Sequence, residues 1–105
     1  MTECILGYIT TPNIEEAKQI AKELLLDKLI ACANIYPKVY SLFWWKGEID
    51  KSEETILIVK SKRNLKQKIV EKVCSMHSYE CPCIIFLPIE DGAKPFLDWI
   101  ISEVN

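Results

Sequence analysis

Residues 30–60 read IACANIYPKVYSLFWWKGEIDKSEETILIVK. Two extended runs, Ile30 to Trp45 and Glu48 to Lys60, are rich in β-branched and aromatic residues and meet at Lys46-Gly47, a tight two-residue turn. Each arm holds about 13 to 16 residues, roughly 45 Å at 3.3 Å per residue, whereas a compact chain of this length has a radius of gyration of about 13 Å and spans about 33 Å. The hairpin outruns its own domain. Pro37, which cannot donate to a ladder, and the polar run Asp50 to Glu54 are the expected points of bulging or bending. At the tip, Phe43 and Trp45 face one side and Leu42 and Trp44 the other, so both sides are greasy. Burying one such side chain is worth roughly 1.5 to 3 kcal/mol. A second subunit is the simplest cover; the competing reading curls the ribbon back onto its own core.

The flanking segments alternate strand and helix. Cys4 to Thr10 is a strand stopped by Pro12, and Asn13 caps a helix to about Lys28 with Glu16 three residues on, as in a capping box. Ile14, Ala17, Ala21, Leu24 and Leu25 form its apolar stripe. Asn64 caps a second helix, with Leu65, Ile69, Val73 and Met76 inward, ending near His77. CPCIIFLPI, opened by Pro82, is a fourth strand, and Gly92 and Pro95 frame a last helix with Phe96, Leu97, Ile100, Ile101 and Val104 on its buried side. The fold class is α+β: a ferredoxin-like βαββαβ antiparallel sheet, with two helices on one face, a long hairpin between its second and third strands, and an extra C-terminal helix. Open sheet edges beside an overhanging ribbon suggest strand addition between copies and a closed ring.

Composition narrows the function. The 105 residues, half of them apolar, suit one domain over 1–105, and 13 basic against 15 acidic side chains leave a net charge of −2 with no basic face for nucleic acid. No apolar run approaches the roughly 20 residues of a membrane span, and the N-terminus has no basic region ahead of its short apolar run, so a cytoplasmic protein is expected. Five cysteines in a chain with an aliphatic core read as reduced, buried small hydrophobes. Gly7, Gly47 and Gly92 lie too far apart for a phosphate loop, Arg63 is the one arginine, and the adjacent Glu53 and Glu54 point to opposite faces.

The segments LIACANIYPKVYSLFWWKGEI, ILIVKSK, HSYECPCIIFLPI and FLDWI, in this order and spacing, resemble the CutA family of divalent-cation tolerance proteins over about Ile5 to Ile100. The resemblance implies a ferredoxin-like subunit in a homotrimer, with hairpins reaching neighbours and clefts between subunits similar to those of PII signalling proteins. It also implies a link to copper tolerance and, for animal members, to membrane anchoring of acetylcholinesterase, without a settled enzymatic activity. No cofactor is required; copper or another divalent metal is the candidate.

The stretch CSMHSYECPC, Cys74 to Cys83, holds three cysteines and the only histidine. His77, Tyr79 and Pro82 match the family's H-P-Y-x-x-P-E segment, whereas Ser78 and Cys83 depart. The metal positions of one bacterial member type fall on Ile9, Met76 and His77, and of these only His77 is an ordinary ligand. Cys81 and Cys83, two apart on an extended strand, share a face and could hold Cu(I), although core thiols are the bland reading. Cys74 lies one helical turn before His77, and a thiol beside an imidazole could be the activated nucleophile of a hydrolase; a flank of the buried stripe is the plainer role. The resemblance also singles out Ser41, Trp45, Lys60, His77 and Tyr79 as ligand-binding, a set whose cation and titratable ring suit a small anionic or metal-complexed ligand.

Overall fold

The computed structural model describes residues 2–105. Strand β1 (Cys4–Thr11) leads into helix α1 (Ile14–Leu26), the long strands β2 (Cys32–Trp45) and β3 (Glu48–Lys62), helix α2 (Lys66–Met76), strand β4 (Ile84–Pro88) and helix α3 (Lys94–Glu103). The four strands form one antiparallel sheet in the order β2-β3-β1-β4, as the ferredoxin-like expectation requires. Ile9, Leu57 and Val59 project from one face of the sheet against Ala17, Ile20, Ala21 and Leu24 of α1 and Ile69 and Val73 of α2. This is the core. Leu25, expected in the stripe of α1, is exposed, and Ile20 takes the inward position.

The Asn13 side chain caps α1 by accepting from the Glu16 N–H at 2.8 Å. Glu16 does not complete a capping box, because its carboxylate turns to Ser78 instead. At the other end Lys28 adopts φ 58°, and the Leu29 and Lys28 N–H groups reach back to Leu24 and Leu25, which stops the helix two residues before the expected limit. Asn64 is not the cap of α2. A single 3-10 turn, Arg63–Leu65, precedes that helix, and Leu65 is drawn into the core in its place.

Lys46 and Gly47 both have positive φ, 50° and 84°, the two-residue turn whose twist suits a hairpin. The ladder slips between Tyr36 and Val39, one extra residue on β2, and the Thr55 hydroxyl pins the slip by donating to the Pro37 carbonyl at 2.8 Å. No break occurs at Asp50 to Glu54: pairing runs unbroken from Val39 with Glu54 to Trp45 with Glu48. Polarity there reflects solvent on the ribbon's faces, and the backbone still pairs. The ribbon gives the molecule a 44 Å long axis against 26 and 23 Å across. Its tip does not curl home, since Leu42 and Trp44 are 75% and 73% exposed and Phe43 and Trp45 38% and 40%.

Helix α3 crosses the other face of the sheet, where Cys4 and Lys60 lie. The Cys4 thiol approaches the Leu97 carbonyl at 3.7 Å, and the Lys60 ammonium stands 5.7 Å from the centre of the Phe96 ring. Phe96, expected inside, is exposed, while Ile100 is buried. Beyond Lys60, Asn34 and Lys62, that face presents apolar residues that no described element covers: Leu6, Tyr8, Ile56 and Ile58 are half-buried, and Tyr36, Ile85 and Leu87 are exposed.

Candidate functional site

The face-sharing residues of the ribbon follow from its register. Trp45 opposes Glu48, Phe43 opposes Asp50, Ser41 opposes Ser52 and Val39 opposes Glu54, so all eight lie on one side. Facing them is the segment between α2 and β4, residues 77–83. Between the two opens a cavity of about 750 Å³, walled by Tyr40, Ser41, Phe43 and Trp45 from β2, by Asp50, Ser52 and Glu54 from β3, and by Tyr79, Glu80, Cys81 and Cys83. Thr10 lines it too, and among the described residues Lys51 is the one cation on its wall.

The segment is held by a histidine it buries. His77 has a fully buried side chain. Its Nε2 lies 2.7 Å from the Thr10 carbonyl, which only accepts, so Nε2 carries the proton, and Nδ1 then accepts from the Tyr79 N–H at 3.1 Å. Glu16 Oε2 lies 3.3 Å from Nδ1 and accepts from the Ser78 N–H and hydroxyl, both at 3.0 Å. From this anchor the Tyr79 ring, 4.8 Å from that of His77, extends to the ribbon and donates its hydroxyl to Glu54 Oε2 at 2.9 Å. Burial, reinforced by the Glu54 carboxylate, pushes the Tyr79 phenol well above its ordinary pKa, so it stays a donor.

The expected ligand residues separate into three places. Ser41, Trp45 and Tyr79 line the cavity. His77 stands behind it as a support. Lys60 is elsewhere, six residues along β3 from Glu54, about 20 Å at the strand rise, where its ammonium donates to Asn34 Oδ1 at 2.7 Å. The expected anion partner is thus missing from the cavity.

At the positions that the resemblance implied for metal, Ile9 is a buried aliphatic, Met76 a half-buried thioether, and both ring nitrogens of His77 are engaged by backbone groups. These residues do not fit a divalent ion. Among the described residues no three of His, Cys, Asp and Glu come together as a metal cluster. The thiols also depart from expectation. Only Cys4 is buried; Cys74 and Cys81 are exposed and Cys32 and Cys83 partly so. β4 starts at Ile84, so Cys81 and Cys83 precede the strand that was to align them, and both face the cavity. Cys74 finds no base in His77, whose nitrogens are spoken for.

Glu54, Asp50, Phe43, Tyr40 and Glu80 escaped sequence reasoning. The signal for the ribbon members was present in the alternation Glu48, Asp50, Ser52, Glu54 opposite Trp45, Phe43, Ser41, Val39, which becomes readable once the arms are taken as paired throughout.

A ferredoxin-like sheet, a projecting ribbon and a cavity along the ribbon's inner face define a small α+β protein built like the CutA1 structures. The chain belongs to the CutA1 divalent ion tolerance protein family, whose model matches residues 5–103. It is 50% identical over 98 residues to the divalent-cation tolerance protein CutA of Archaeoglobus fulgidus, covering 93% of this chain and 95% of that one. It is 38% identical to the chloroplastic protein CutA 1 of Oryza sativa, spanning 96% of this chain and 57% of the plant protein. The structure of the periplasmic divalent cation tolerance protein CutA from Archaeoglobus fulgidus superposes with a TM-score of 0.94 at 46% identity, covering 97% and 99% of the two chains. Among the described residues no helix is long and apolar enough to cross a membrane.

Proposed function

We propose that this chain works as a homotrimeric, non-enzymatic protein of metal tolerance and signalling, which takes a small ligand in the cleft along the inner face of its ribbon. One relationship carries the reading: the ribbon face that walls the cavity, with Trp45, Phe43 and Glu54, continues the face of the sheet that α1 and α2 leave bare. A neighbour covering the apolar residues Leu6, Tyr8, Ile58, Ile85 and Leu87 would stand beside the cavity and close it. The 750 Å³ volume is that of an ordinary small-molecule site. Five cysteines, none of them paired, suit a reducing compartment, and we place the chain in the cytoplasm.

The test is light scattering of the purified chain at micromolar concentration, with native mass spectrometry and metal analysis of material prepared without chelator. A trimer with a retained small molecule is expected. A monomer would end this reading.

A second reading rests on Cys81 and Cys83, which both face the cavity: a soft ion such as Cu(I) held by thiolates. It accounts for metal tolerance directly, without His77.

A further inference from the structure

The chemistry of the cavity wall selects among ligands. Three carboxylates, Asp50, Glu54 and Glu80, face one ammonium, Lys51. Lys51 opposes Leu42 on the ribbon's other side, so its ammonium belongs to the rim, whereas Asp50 and Glu54 share the inner side with Phe43 and Trp45. An anion entering here would meet like charge and no buried donor cation.

The rings supply the complement. Phe43, Trp45 and Tyr79 stand around the same volume, and Trp45 already draws a cation of this chain: the Lys46 ammonium lies 5.7 Å from its ring centre. The negative ring faces and the carboxylates act in the same sense on a positively charged guest. The carboxylate of Glu54 is fixed by Tyr79 at 2.9 Å, so one acceptor is set in place before a guest arrives.

We infer that the cleft takes a small organic cation, an ammonium or guanidinium group carried on an apolar body, with the charged head toward Glu54 and Glu80 and the body against Trp45 and Phe43. The inference rests on the cleft-binding reading above and names its ligand class. A bare metal ion is a poorer match, because the wall offers aromatic surface where a hard ion needs converging oxygens.

The test uses the full chain and three probes of one size: benzyltrimethylammonium, phenylacetate and benzyl alcohol. Binding is followed on the assigned Trp45 indole N–H signal by NMR titration. Saturable binding of the ammonium is expected, about tenfold or more tighter than either other probe and weakened by added salt. Glu80→Gln and Asp50→Asn should each loosen it several-fold without altering the melting temperature. If phenylacetate binds as tightly at Trp45, the cation assignment is overturned and the cleft reading stands. If neither charged probe moves Trp45, both fail. Ammonium binding unchanged in the two variants would also overturn the assignment, since the guest would then sit elsewhere.

Discussion

The Tyr79 hydroxyl donates to Glu54 Oε2 at 2.9 Å, and so fastens the segment between α2 and β4 to the first paired residue of the ribbon beyond its bulge. A buried carboxylate depends on this donor. Tyr79→Phe leaves Glu54 short of a partner and should lower stability by about 1–3 kcal/mol, measured by urea denaturation. Wild-type stability in the variant would show the bond to be dispensable.

The same bond gives a pH dependence. Burial, with the Glu54 carboxylate adding to it, raises the phenol above the ordinary value of 10.0. The unfolded chain therefore releases this proton first as pH climbs. The contribution is fully present below about pH 10 and is lost above it. Between about pH 9 and about pH 11.5 the wild type should lose more stability than Tyr79→Phe; parallel curves would count against the shift.

His77 holds the Thr10 carbonyl and the Tyr79 N–H on its two nitrogens from a fully buried position. His77→Ala should lower stability by about 1–3 kcal/mol through the two stranded backbone groups, plus a penalty for the vacated volume. Thermal melts would show it. An unchanged melting temperature would place the ring outside the framework.

Gly7 is a matter of space. A Cβ there would stand 2.6 Å from Val59 Cγ2 and 3.3 Å from Phe86 Cε1, and Val59 is fully buried against the helices. Gly7→Ala should cost about 1–3 kcal/mol by overpacking. The double variant with Val59→Ala should lose less than the sum of the two single losses, because trimming Val59 relieves the clash. Additive losses in the double variant would mean the two groups do not collide.

The tip tests assembly. Trp45→Glu places a charge among groups that a neighbour would desolvate, so light scattering should show dissociation while circular dichroism stays near wild type. An intact oligomer would remove Trp45 from the contact.

Cys81 and Cys83 test the soft-metal reading. Under anaerobic titration the wild type should bind Cu(I) with higher stoichiometry than the Cys81→Ser, Cys83→Ser variant if the thiols are ligands. Equal stoichiometry excludes them.

Most of the architecture could be read from local chemistry, because periodicity, turn residues and Pro37 act through neighbours in the chain. The Lys46-Gly47 turn, the slip beside Pro37 and the cap at Asn13 are of this kind. What failed depended on distant partners. Asn64 lost its capping role to a turn that buries Leu65, Glu16 left its box for Ser78, and Cys81 and Cys83 fell outside a strand that starts only where Ile9 offers a pairing partner. The site divided similarly. Ser41, Trp45 and Tyr79 meet because register and one hydrogen bond bring them together, while Lys60, on the same strand as Glu54, is carried to the other end of the sheet by strand length alone.

β1 lies between β3 and β4, with partners roughly fifty and eighty residues further along the chain. β1 is made before either partner and is therefore the last strand to acquire both its neighbours, whereas β2 and β3 can zip from their own turn as soon as they emerge. Until residues near Ile84 are made, Ile5 and Ile9 have no second flank. Closure of the sheet waits on the synthesis of β4.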